Sequence, residues 1–204
     1  MAQLGSLPLS LTRRCESIYM LRFLIILAIT IVSACDAPLA GPTVPSGGHS
    51  LSLTALASYG LGPFANDEDI VASTSLDALR AEVIARTVSH TQRTEAQVCA
   101  PAQPPDPCWR QQVNRTGRLY LAVITFNECN ADTKEAAAIS GRTLFFIRWI
   151  GNPKGVCNAA MAAPNWRLFS ASRAELPSSG TLTVRLQLQG ATDRVAAESQ
   201  VDLT

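Results

Sequence analysis

Near its end the chain reads Thr181-Leu182-Thr183-Val184-Arg185-Leu186-Gln187-Leu188-Gln189. Leu182, Val184, Leu186 and Leu188 alternate with polar residues without a break. Side chains change face at every step of a strand, so this period of two sets the leucine face on a core and the polar face in water. Gly190–Asp193 reads as a turn, after which Val195, Ala197, Val201 and Leu203 continue an inward face. Working back along the chain, Leu119–Phe126 and Thr143–Ile150 are nearly continuous apolar runs with β-branched and aromatic members, as in strands buried on both faces. Trp166–Ala171 is a shorter candidate. A short helix is expected over Thr133–Ile139. Residues 76–91 fit two readings: a helix capped at Thr74 or Ser75 with Leu76, Leu79 and Val83 on its period, or a strand over Val83–Thr91. Strands divided by turn signals, with at most one or two short helices, predict a mainly β fold. A single β-sandwich of immunoglobulin-like type is the first expectation.

Length and composition narrow the class of protein. The 204 residues suit one domain with appendages, since domains cluster at roughly 100–150 residues. A chain that is 47% hydrophobic and only 16% charged is not globally disordered. With 17 Lys+Arg against 16 Asp+Glu, the net charge of +1 supplies no broad basic field, so no nucleic-acid partner is expected. No apolar stretch reaches the roughly 20 residues of a membrane-spanning helix, which excludes a polytopic membrane protein.

The N-terminal region reads as an address. Arg13, Arg14 and Arg22, opposed only by Glu16, precede the apolar run Phe23–Ala34, which ends at Cys35. As a helix that run is about 18 Å long, short of the roughly 30 Å of bilayer hydrocarbon but within the range of a signal-peptide core. Val32-Ser33-Ala34-Cys35 resembles the lipobox of bacterial lipoprotein precursors, although Val32 stands where that family prefers leucine. The resemblance covers only residues 20–36. It implies cleavage before Cys35 and a diacylglyceryl thioether on that cysteine. The expected organisation is a signal peptide over 1–34, with Met20 as an alternative start. A lipid-anchored Pro/Gly-rich spacer follows over 35–50, and an extracytoplasmic domain over 51–204. The spacer reading rests on Ala37–Gly48, which carries no charge and no hydrophobic period.

Four cysteines remain in the domain: Cys99, Cys108, Cys129 and Cys157. An even number beyond an export signal points to two disulfides. Three pairings are possible and the sequence does not choose among them. Cys99–Cys108, closing a proline-stiffened loop, together with Cys129–Cys157 is preferred. No Cys-x-x-Cys pair occurs, and neither His49 nor His90 stands at a ligand spacing to a cysteine, so no metal and no cofactor are expected.

No catalytic residue is assigned. A serine or cysteine triad would need His90 as its base, and no Gly-x-Ser-x-Gly elbow is present. Asn66-Asp67-Glu68-Asp69 is a compact acidic cluster that lacks a calcium-loop pattern and reads as an exposed turn. Trp109 and Arg110, among polar neighbours, are the candidate ligand-binding residues. These readings together lead to a membrane-anchored envelope lipoprotein whose β domain does interaction or structural work, with an envelope protein as the expected partner. A small-molecule or glycan-binding module is the alternative, and an envelope hydrolase with dispersed residues ranks last.

Overall fold

The computed structural model describes residues 41–60, 67–92, 94–99, 108–126, 131–151, 164–190 and 193–204. Nine strands in them form two sheets. The five-stranded sheet has the spatial order β1 (His49–Ser50), β5 (Thr133–Ser140), β6 (Thr143–Ile150), β8 (Thr181–Gly190), β9 (Arg194–Asp202). The four-stranded sheet has the order β2 (Thr54–Gly60), β7 (Pro164–Ser172), β4 (Arg118–Phe126), β3 (Asp69–Ser73). Helices α1 (Leu76–Thr91) and α2 (Glu95–Val98) lie between β3 and β4 in the chain.

The two sheets pack as a sandwich, and the alternation of β8 is why. Its Leu182, Val184, Leu186 and Leu188 are at most 2% exposed and meet Leu119, Leu121 and Val123 of β4. Burying such side chains contributes roughly 1.5–3 kcal/mol each before entropy is counted. The alternate residues of β4, Tyr120, Ala122 and Ile124, form a second core with Leu76, Leu79 and Val83 of α1. The four-stranded sheet is thus covered on both faces over β4, which accounts for that strand's unbroken apolar run. Residues 76–91 resolve as helix. Leu76, Leu79, Val83 and Thr87 are buried at helical spacing, and the Ser75 side chain caps the first turn by accepting from the Ala78 N–H.

Three sequence expectations are corrected. Thr133–Ile139 is strand, not helix: β5 pairs along its whole length with β6, from Thr133↔Ile150 to Ser140↔Thr143. The two residues between them form a hairpin turn with Gly141 at φ 56°, a conformation glycine reaches without a Cβ clash. Tertiary pairing overrides the helix preference of Ala136-Ala137-Ala138. Second, immunoglobulin sheets are antiparallel, whereas here β6 and β8 run parallel, because the chain crosses to the other sheet through β7 between them.

Third, the sandwich reaches upstream of residue 51. The Gln189 side-chain amide accepts from the Thr43 N–H at 2.7 Å and donates to the Thr43 carbonyl at 2.9 Å. Six residues on, His49 and Ser50 pair with Ile139 and Ala138 of β5. In the sheet, β6 and β5 separate β8 from β1, so residues 43–48 strap across the outer face of both. Ile147 of β6 and Ala138 of β5 are wholly buried although they point away from the inter-sheet core. Composition alone reads this segment as a spacer because its hydrogen-bond partners lie far away in sequence.

Candidate functional site

A row of three residues on adjacent strands forms the floor of a surface groove. Register places Tyr120 of β4 opposite Ser170 of β7, and Ser170 opposite Thr54 of β2. All three are on the face turned away from the inter-sheet core. Helix α1 packs on β3 and β4; here the wall is the segment after Cys108, through Gln111, Gln112, Val113 and Arg115. The groove encloses about 520 Å³, a size that suits a small ligand.

The wall is held by an organised set of contacts. Cys99 and Cys108 form a disulfide with Cα atoms 5.5 Å apart. The Arg80 guanidinium of α1 donates to the Cys108 carbonyl at 2.7 Å and to the Trp109 carbonyl at 2.9 Å. Trp109 takes φ 51°, an uncommon conformation for a bulky residue, and its indole is 2% exposed within the second core. Gln112 donates from Nε2 to the Leu56 carbonyl at 3.2 Å. The Tyr120 hydroxyl accepts from the Arg115 N–H at 2.6 Å and donates to the Arg115 carbonyl at 3.2 Å, fixing the loop as a tyrosine corner does.

Among the described residues the groove's charge comes from Arg115 and Arg118, and no Asp or Glu lines it. Arg118 uses Nη2 for the Ser170 hydroxyl at 2.7 Å and the Ser170 carbonyl at 3.3 Å. Its Nε and Nη1, and the whole Arg115 guanidinium, have no partner among the described residues. Val113, 73% exposed, is the apolar lip.

A second polar group sits inside the sandwich at its opposite end. Arg148 of β6 has a side chain 5% exposed and donates to the Phe126 carbonyl at 2.6 Å. Glu135 of β5 lies 3.7 Å from Arg148 and also binds Arg167 of β7, so it joins the two sheets. The arrangement pairs every charge named and is structural.

Among the residues singled out by sequence, Cys35, Cys129 and Cys157 lie outside the described residues. The Cys99–Cys108 pair is formed. Trp109 is a core residue; its polar neighbours suggested exposure, but the turn at φ 51° rotates its ring onto the sheet. Arg110 is exposed and does not line the groove. Glu68 pairs with Arg194 at 2.6 Å, and Asp69 pairs with Arg86 at 2.6 Å. Burial opposes the charge on Arg86, but its hydrogen bonds to Asp69 and Glu82 outweigh that and raise its pKa. Among the described residues no group of three or more His, Cys, Asp or Glu could hold a metal ion. Nor is any described helix long and apolar enough to cross a membrane.

Fold and site together define a two-sheet β domain with a helix on one outer face and, beside it, a groove whose charged described residues are Arg115 and Arg118. Comparison with known protein families, with curated proteins and with solved structures finds no match.

Proposed function

We propose that the chain is a lipid-anchored lipoprotein of a bacterial cell envelope, held on the extracytoplasmic face through Cys35, and that its sandwich is a non-catalytic interaction domain. The Cys99–Cys108 disulfide carries this reading, because such bonds persist in oxidising compartments and are rare in the cytoplasm. The lipobox-like segment supplies the anchor, and two or three acyl chains hold a protein on a bilayer where one is marginal. Thr43, fastened to Gln189, stands eight positions after Cys35, so the tether spans at most about 28 Å. The domain therefore works close to the membrane that holds it.

The test is expression of the full chain and of Cys35→Ala in a Gram-negative host fed labelled palmitate. The wild-type chain takes up label and sediments with membranes, and the variant takes up none. Label on the variant, or none on the wild type, overturns the anchor. A second reading, a small-molecule or glycan-binding module, is favoured by the groove over Tyr120, Ser170 and Thr54.

A further inference from the structure

The groove has a chemistry more specific than its shape. Two arginines three positions apart face one cavity whose other polar groups, among the described residues, are neutral: the amides of Gln111 and Gln112 and the hydroxyl of Thr54, with the Tyr120 and Ser170 hydroxyls engaged by Arg115 and Arg118. Guanidinium groups present planar forks that match oxyanions, while amides and hydroxyls both donate to and accept from polyol hydroxyls. Arg118 is already oriented by Ser170, so less side-chain entropy is lost when a ligand binds it. With no carboxylate among the described lining residues, an anion entering the groove meets the two guanidinium groups.

Position adds a second constraint. Thr43 joins the sandwich at the Gln189 end of β8, on the outer face of the five-stranded sheet. The groove is on the outer face of the other sheet, where β4 begins and β7 ends. Strands of nine residues place these ends roughly 30 Å apart. Thr43 and the groove therefore lie at opposite ends of the sandwich and on opposite faces.

We infer that this groove binds a small saccharide carrying one carboxylate or phosphate, with Arg118 and Arg115 on the oxyanion and the Gln111 and Gln112 amides and the Thr54 hydroxyl on the sugar. This rests on the reading of the sandwich as a non-catalytic binding module. The lipid anchor stands or falls separately, in the palmitate experiment.

The test is titration of the full-length chain in detergent, by calorimetry and ligand-observed NMR, with glucuronate, glucose 6-phosphate, glucose and inorganic phosphate. Either acidic sugar binds with Kd of about 1 mM or tighter, and glucose and phosphate alone each bind about tenfold more weakly. Arg115→Met, at a side chain without internal partners, and Arg118→Met each weaken the acidic sugars about tenfold while the far-UV spectrum is unchanged. Binding of neither acidic sugar overturns the inference, as does equal affinity for glucose, equal affinity for phosphate alone, or undiminished binding in both variants. NMR of the bound sugar separates the two claims: binding with the sugar converted to product keeps the groove assignment and removes the non-catalytic reading on which it rests.

Discussion

Removing the Cys99–Cys108 bond should destabilise the domain by an amount set by the loop it closes. The two cysteines are nine positions apart, giving a ten-residue loop. The chain-entropy relation then gives about 2.7 kcal/mol at 25 °C. For a domain of this size 1 kcal/mol corresponds to about 2–4 °C, so the midpoint should fall by about 5–11 °C. Cys99→Ser with Cys108→Ala is the suitable double variant, since Cys108 is 2% exposed and a hydroxyl there would be buried. Thermal unfolding followed by circular dichroism without reductant measures the shift. The native spectrum should survive at 25 °C, because Arg80 still holds the 108 and 109 carbonyls and Trp109 still fills the second core. A midpoint unchanged to within about 1 °C would refute the staple. Complete unfolding at 25 °C would refute the claim that the sandwich core stands largely on its own.

Other perturbations separate the remaining parts of the account. Gln189→Ala removes all three hydrogen bonds to Thr43 and should cost about 1–3 kcal/mol, with amide exchange and proteolysis rising first within residues 43–48; unchanged protection there would mean that the strap is held by something else. Trp109→Ala should cost about 3–5 kcal/mol as a core truncation, whereas Trp109→Phe should cost only about 1–2 kcal/mol because the indole N–H has no hydrogen-bond partner among the described residues; unfolding in denaturant checks both, and a negligible loss for alanine would return Trp109 to the surface.

Legibility followed the range of the interactions involved. The alternation of Thr181–Gln189 and the apolar runs of β4 and β6 are local patterns, and each became the strand it predicted. Helix α1 carried its period in Leu76, Leu79 and Val83, but the overlapping strand pattern could be dismissed only when Thr87 was seen on the same buried face. What escaped depends on partners remote in sequence. The strap needs Gln189, 146 positions from Thr43. Strand β5 needs β6, and a small signal for that hairpin was present in Ser140-Gly141-Arg142-Thr143, where glycine opens a two-residue turn.

The groove was half visible in the same way. The segment after Cys108 drew attention through Trp109 and Arg110, and it does form a wall, but through Gln111, Gln112, Val113 and Arg115. A single backbone turn at φ 51° exchanges which side chains face inward, and sequence carries no reliable mark of such a turn for tryptophan. Arg148 did leave a trace, as the lone charge on the face shared by Leu144, Phe146 and Ile150. The β5–β6 register sets Glu135 directly opposite it, and only the two-sheet packing brings Arg167 to Glu135.

The central claim is an anchored, disulfide-bonded extracytoplasmic domain. Intact mass of the membrane-extracted protein, alkylated before and after reduction, tests it most directly. The account predicts the mass of residues 35–204 plus acyl chains, with no cysteine alkylated before reduction and Cys99, Cys108, Cys129 and Cys157 alkylated after it. An unlipidated mass, or a chain still carrying residues upstream of Cys35, would contradict the anchor. Alkylation of Cys99 or Cys108 before reduction would contradict the oxidising compartment.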